Sequence, residues 1–315
     1  MTETTDGMRR RGRERKADEM VQQRTMTTAR ARLLKGLALE EQRLEINGIA
    51  TTVLEGGQGP LMVLLHGGIE CGGAYWGPVI SRLAESHRLV VPDAPGLGES
   101  EPVIRLDAAA FSDWLAALLR STGRERPTLV AHSLLGSLAA RFASQHGDRL
   151  RGLVLYGAPA VGPYRLPPGL QVAAIRFGLR PSERNSERFA RWAFLDLDLT
   201  RRQDREWYEA FDEYSRSRGA VPHVKRTMRH LIKTETKQIP DTDLQRIGCP
   251  TALLWGRHDR MVPLRIAEAA STRFGWPLHV IDDAGHVPHI EQPEAFLRAL
   301  SEIQPALAGE GKKRP

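Results

Sequence analysis

Ser133 stands where an apolar run, Leu129-Val130-Ala131-His132, gives way to a segment with small residues at Gly136, Ala139 and Ala140. This pattern reads as a strand entering a helix through a sharp turn, which lifts the serine hydroxyl off the backbone. The helix N-terminus behind it favours developing negative charge. A serine ahead of a helix most often does no more than cap it, so its company decides. A serine hydroxyl attacks little near neutral pH unless a base touches it. The base expected is His286, in Asp283-Ala284-Gly285-His286-Val287-Pro288-His289, on a loop after the last apolar run. An imidazole has the right strength for that work. His289 lies nearer the final helix and is expected to pack or cap.

An imidazole base needs a carboxylate to hold its tautomer. Asp259 follows the apolar run Leu253-Leu254-Trp255 and suits that role, although it could instead pair with Arg257 or Arg260. The chain order is serine, aspartate, histidine, which is neither the chymotrypsin nor the subtilisin order. A fourth feature is His66-Gly67-Gly68-Ile69, after the run Leu61–Leu65. Glycines let backbone N–H groups approach a ligand. The N–H groups of Gly68 and Leu134 are the expected oxyanion donors, each typically worth about 10²–10³ in rate. No Lys-Ser/Thr pair follows the glycines, so a phosphate loop is not indicated.

These residues need a scaffold that brings the ends of several strands together. Apolar residues alternate through 42–55 around Asn47-Gly48, which predicts a hairpin. A strand–helix rhythm follows. Strands are expected at Leu61–Leu65, Arg88–Pro92, Thr128–Ala131, Leu153–Tyr156, Ala252–Trp255 and Leu278–Ile281. Helices are expected near 76–85, after Asp107 as cap, at 134–146, 264–273 and 293–303. Such alternation predicts an α/β fold, a mostly parallel sheet with helices on both faces. Residues 160–240 break the rhythm with proline-punctuated helical segments rich in aromatics, read as an inserted helical lid. The core is then 36–159 and 241–308, with basic tails at 1–35, expected to be disordered, and 309–315.

The chain has 315 residues, of which 41% are hydrophobic and 26% charged, an ordinary soluble composition. No apolar run approaches the roughly 20 residues of a membrane span. Two cysteines, Cys71 and Cys249, build no disulfide framework and suit a reducing, cytoplasmic setting. Cys71 is expected to be a small buried residue. The formal charge is +7, but residues 36–308 are neutral overall and the excess lies in the two tails. That distribution argues against a nucleic-acid partner for the folded body. Within the body, residues 160–240 carry +6 and the remainder −6, so an acidic acyl carrier is one conceivable partner.

Together these motifs resemble the α/β-hydrolase family over about residues 42–305, including Asp93-Ala94-Pro95-Gly96-Leu97-Gly98-Glu99-Ser100, which is similar to the family's Asp-x-Pro-Gly-x-Gly-x-Ser loop. The resemblance is to the lidded branch of serine ester hydrolases and C–C bond hydrolases. It implies Ser133 as nucleophile, a structural Asp93, and no cofactor or metal. One departure stands out: the family's Gly-x-Ser-x-Gly reads Ala131-His132-Ser133-Leu134-Leu135 here, and Leu135 is expected to crowd a neighbouring strand. The expected activity is hydrolysis of carboxylic esters of small to medium apolar or aromatic acyl groups. Ile69, Trp76, Trp192 and Phe194 are expected to shape the pocket. The alternatives are a C–C hydrolase of a β-diketone-type acid, whose substrate carboxylate would need an arginine such as Arg176, Arg188 or Arg191, and a non-catalytic ligand-binding protein of the same fold.

Overall fold

The computed structural model describes residues 26–67 and 69–307. Eight strands form one sheet in the order β1-β2-β4-β3-β5-β6-β7-β8. They are β1 (Glu40–Ile46), β2 (Ile49–Gly56), β3 (Leu61–Leu65), β4 (Arg88–Pro92), β5 (Thr128–His132), β6 (Gly152–Tyr156), β7 (Thr251–Gly256) and β8 (Leu278–Ile281). The hairpin turns at Asn47 and Gly48, both with positive φ, and it joins the sheet antiparallel through β2 and β4. All later pairings are parallel.

The central strands β3, β5, β6 and β7 are buried on both faces, and their side chains alternate between two apolar layers, whereas the edge strand β1 is largely exposed. Leu61, Val63 and Leu65 enter one layer and Met62 and Leu64 the other. The first layer is closed by α3 (Ala108–Ser121), α4 (Ser133–His146) and α11 (Arg265–Phe274), through residues such as Trp114, Leu138 and Ile266. Asp107 caps α3 as expected, accepting from the Ala110 N–H at 3.1 Å. The second layer is closed by α2 (Gly77–Ala84) and α13 (Pro293–Leu307), through Val79, Ile80, Leu300 and Ile303.

A first helix, α1, runs over 26–34 and corrects part of the expected tail. Met26, Ala29 and Leu33 form a helical stripe buried in the second layer. Arg30 is buried with them and meets Glu41, Asp93 and Tyr214. A polar composition hid this, because one arginine of the segment faces inward to acids far away in sequence. Residues 1–25 and 308–315 lie outside the described residues.

Between β6 and β7 come α5 (Pro168–Leu179), α6 (Glu183–Ala193), α7 (Leu197–Gln203), α8 (Arg205–Gly219), α9 (Pro222–Glu235) and the short α10 (Asp241–Leu244). Among the described residues of 160–240 all regular structure apart from one 3₁₀ turn is α-helical. Tyr208, Phe211 and Tyr214 of α8 pack into the second layer, and Val224 and Leu231 of α9 into the first. Among the described residues, no helix is long and apolar enough to cross a membrane.

Strands β4 and β5 lie on opposite sides of β3, so the sheet order reverses there. A crevice opens at such a point, outside the carboxyl ends of the strands. β3 delivers His66 and Gly67 to it, and β5 delivers Ser133.

Candidate active site

Ser133 has φ of 52°, a left-handed conformation rare for a residue with a side chain. The strand has ended and α4 has begun within this one residue, which fixes the hydroxyl at the rim of the sheet. Tight packing beneath the turn holds it. A Cβ on Gly136 would lie 2.9 Å from the Ala131 carbonyl oxygen and 3.1 Å from the Ala158 Cβ. The close approach therefore falls on Gly136 and not on Leu135, whose side chain is fully buried in the first apolar layer. The crowding expected of Leu135 does not distort the turn. Ser137 lies a turn further along α4, where its Oγ accepts from the Ala160 N–H.

Ser133 Oγ lies 3.0 Å from His286 Nε2, and His286 Nδ1 lies 2.7 Å from Asp259 Oδ2. The second Asp259 oxygen accepts from the Met261 and Val262 N–H groups, each at 2.8 Å. With both oxygens committed, the carboxylate is fixed in place. Asp259 does not pair with its neighbouring arginines: Arg257 meets Asp282, and Arg260 donates to the Phe194 carbonyl. All three side chains are buried or nearly so.

The loop carrying His286 is held from two sides. Its backbone N–H donates to the Ala193 carbonyl at the end of α6, at 2.7 Å. Glu291, on α12 (Pro288–Glu291), accepts from the N–H groups of Leu195 and Gly285 at 2.5 and 2.7 Å. Gly157, after β6, has φ of +59°, and a Cβ there would sit 2.8 Å from His286 Cε1. Neither Glu291 nor Gly157 carries a recognisable sequence signal, since only the folded chain puts them beside the imidazole.

Two more histidines stand behind the site. His132 Nε2 donates to the His286 carbonyl at 3.0 Å, and its Nδ1 accepts from the Tyr75 hydroxyl at 3.1 Å. Its ring stacks on Tyr156. Burial, then the neighbouring His286 and His289, hold its imidazole well below the ordinary value, so it is neutral. His289 is packed as expected. It accepts from the Tyr156 hydroxyl and donates to the Tyr75 carbonyl, and burial lowers it to about 3. Asp93 is structural, accepting from the N–H groups of Gly73 and Glu99. Cys71 is fully buried, and burial raises its thiol far above the usual range.

A cavity of about 110 Å³ opens onto Ser133, His132, His286 and Leu134. The core lends it Ile69, Tyr75 and Val287, and the insertion lends Leu170, Phe189, Met228 and Ile232. Of the expected pocket residues only Ile69 and the oxyanion candidate Leu134 line it; Gly68 lies outside the described residues. Trp76, Trp192 and Phe194 do not. Trp76 is buried against Tyr156, His289 and Phe296. Trp192 covers Gly169 between α5 and α6, and Phe194 packs on Tyr208. The helical phase of α6 explains this: Phe189 and Ala193, four residues apart, share the face turned to the cavity, and Trp192 does not. Glu70 also lines the cavity and was not foreseen. Among the described residues no cluster of His, Cys, Asp and Glu could hold a metal ion.

A family model for the α/β-hydrolase fold matches residues 60–293. The chain belongs to the α/β-hydrolase family. This hydrolase is 29% identical over 268 residues to the 2-hydroxy-6-oxo-2,4-heptadienoate hydrolase of Pseudomonas putida, covering 81% of this chain and 93% of the relative. It is 27% identical over 253 residues to a pimeloyl-[acyl-carrier protein] methyl ester esterase of Chromobacterium violaceum, covering 78% and 94%. Among solved structures, a 2-hydroxy-6-oxo-6-phenylhexa-2,4-dienoate hydrolase from a Rhodococcus species superposes with a TM-score of 0.75 at 23% identity, covering 85% of this chain and 99% of the other. That last likeness is one of fold.

Proposed function

We propose that this hydrolase cleaves neutral carboxylic esters with small to medium apolar or aromatic acyl groups, through an acyl-enzyme on Ser133. The observation that carries the reading is the unbroken chain from Ser133 Oγ through His286 to Asp259, opening onto an apolar cavity. Ser133 Oγ attacks the ester carbonyl carbon as its proton passes to His286 Nε2. Asp259 accepts from Nδ1–H and stabilises the imidazolium that forms. The Leu134 N–H, at the start of α4, donates to the oxyanion, with Gly68 expected from the sequence as its partner. His286 then gives its proton to the leaving alkoxide. Water, deprotonated by the same nitrogen, releases the acid and restores the serine. The helices α5–α9 act as a lid that excludes bulk water from this exchange.

The relatives' names include dienoate hydrolases, which favours C–C bond cleavage as a second reading. The cavity speaks against it. A dienoate carries a carboxylate, and among the described lining residues there is no lysine or arginine. Arg191 is spent on Glu187 at the surface, and Arg188 donates to Asn185. The excess positive charge of the insertion suits an acidic acyl carrier as the donor of the ester, as in the name of the Chromobacterium relative. Carrier-ester hydrolysis that does not weaken with added salt would remove that part.

The test is a panel of p-nitrophenyl esters of graded acyl length beside a ring-cleavage dienoate, with Ser133→Ala as control. Turnover of neutral esters and none of the dienoate is expected. Dienoate turnover without ester turnover would overturn the reading.

A further inference from the structure

Among the described residues, one carboxyl group lines the same cavity as Ser133. Glu70 follows Ile69 in the segment after β3, is 8% exposed, and lines the cavity between Ile69 and Tyr75. Its place is fixed by the backbone: the Gly98 N–H donates to its carbonyl at 3.0 Å, and the Gly72 N–H to that of Ile69. On the far side the end of α8 closes over it, with a Cβ on Gly219 falling 3.6 Å from its Cγ. Among the described residues, none around it gives the charge a counterion. Arg218, beside Gly219, reaches towards Glu99, and Arg30 is held by Asp93 and Glu41. The other titratable groups near it are the Cys71 thiol and, across the cavity, Tyr75, His132, His286 and Tyr164. None of these is a fixed cation. Among the described residues, the only hydrogen bond holding its carboxylate down is from its own backbone N–H, while burial pushes it up to about 7.

A buried carboxyl group with spare acceptor capacity in an apolar wall has one use that fits its setting. It can pair with a donor that arrives with the substrate. We propose that Glu70 sets the specificity of this cavity, receiving a hydroxyl or N–H donor on the acyl chain and turning away acyl chains that end in a carboxylate. This rests on the ester-hydrolase reading and refines it: the acyl chain is apolar along the rest of the cavity and carries one donor where it meets Glu70. A substrate hydroxyl is satisfied by the carboxylate, whereas a second carboxylate in the same enclosed space forces one of the two to hold a proton. A site built around a buried polar group also discriminates strongly against analogues that leave the group unpaired.

The experiment compares kcat/KM for three p-nitrophenyl esters of one chain length: hexanoate, 6-hydroxyhexanoate and the adipate monoester. It uses the full chain and its Glu70→Gln and Glu70→Leu variants. The native protein should favour the hydroxyacyl ester over the carboxyacyl ester by at least about tenfold, and both variants should shrink that ratio by about tenfold. The native ratio should widen between about pH 6 and pH 8 as Glu70 loses its proton, and the Glu70→Gln ratio should stay flat. A merely structural role would lower all three rates together and leave the ratios alone, and equal ratios in the three proteins would overturn the proposal. Fluorophosphonate labelling of Ser133 reads the chemistry separately. If no ester turns over, the matching amides are compared by calorimetric binding. The same order of Kd would then support the role of Glu70 even though the hydrolase reading had failed, and a flat order would overturn it.

Discussion

Replacing Arg30 by methionine should destabilise the protein by about 3 kcal/mol, although the residue lies in a segment whose composition suggests a dispensable tail. The guanidinium is 5% exposed. Its Nη2 lies 2.5 Å from Glu41 and 3.3 Å from Asp93, and its Nη1 donates to the Tyr214 hydroxyl at 3.0 Å. Burial alone would lower its pKa, but the attraction of Asp93, Tyr214 and Glu41 outweighs this and keeps it charged. Removing one member of a buried ion pair typically costs about 3–5 kcal/mol, because the other charge stays behind. Two features place the expectation at the low end. The Glu41 side chain is 41% exposed and returns to water, so its share is small. Asp93 keeps the N–H groups of Gly73 and Glu99.

The pH dependence has a definite sign. Burial raises the Asp93 pKa and Arg30 lowers it, so the variant's Asp93 is raised further. A carboxyl raised in the folded state is tolerated when protonated, so the loss should shrink as pH falls and grow towards alkaline pH. Urea unfolding followed by tryptophan fluorescence measures the loss through the midpoint. A loss under about 0.5 kcal/mol, the range of an ordinary surface substitution, would refute the reasoning.

Three further outcomes are expected. Gly157→Ala adds a Cβ that would meet His286 Cε1 at 2.8 Å, in a backbone conformation worth about 1–2 kcal/mol against alanine; kcat should fall by about 10²-fold with only a modest loss of stability, and an unchanged kcat would contradict the role given to that glycine. His66 and His289 are each lowered to about 3 by burial. Being neutral when folded, they lend stability that is full above about pH 6.5 and is lost as pH falls towards 3, and their imidazole NMR signals should not titrate between about pH 8 and pH 5 in the folded protein; a midpoint near 6.5 for either would contradict this. Glu291→Gln removes the charge that receives the N–H groups of Gly285, in the His286 loop, and of Leu195, just after α6, so kcat should drop while fluorophosphonate still reacts slowly at Ser133; full activity would show that this anchor is not needed.

Much of the fold was legible because each buried strand is a short apolar run followed by a turn. Leu61–Leu65 and Leu278–Ile281 fall where the pattern puts them. Ser133, Asp259 and His286 were legible for a related reason, since each follows such a run and parallel strands send those ends to one edge. What stayed hidden depends on packing between distant segments. Trp76, Trp192 and Phe194 look like pocket residues in a list of aromatics, but helical phase and neighbouring helices decide which way a ring faces. Leu135 looked like a clash because the family pattern counts from the serine, and here the close contact is taken up one residue later by Gly136. Arg30 could not be told from its exposed neighbours, because its partners lie in β1, the loop after β4, and α8. Glu70 is one acid among 38, and nothing local marks it as a wall of the cavity.

The central claim is that a covalent acyl group resides on Ser133 during turnover. Intact-mass spectrometry of the acid-quenched protein, mixed rapidly with a p-nitrophenyl ester, followed by peptide mapping, tests it most directly. The expected result is a mass increase equal to the acyl group, confined to the peptide containing Ser133 and missing from Ser133→Ala. An acyl adduct on another residue, or steady ester turnover in Ser133→Ala at the native rate, would contradict it.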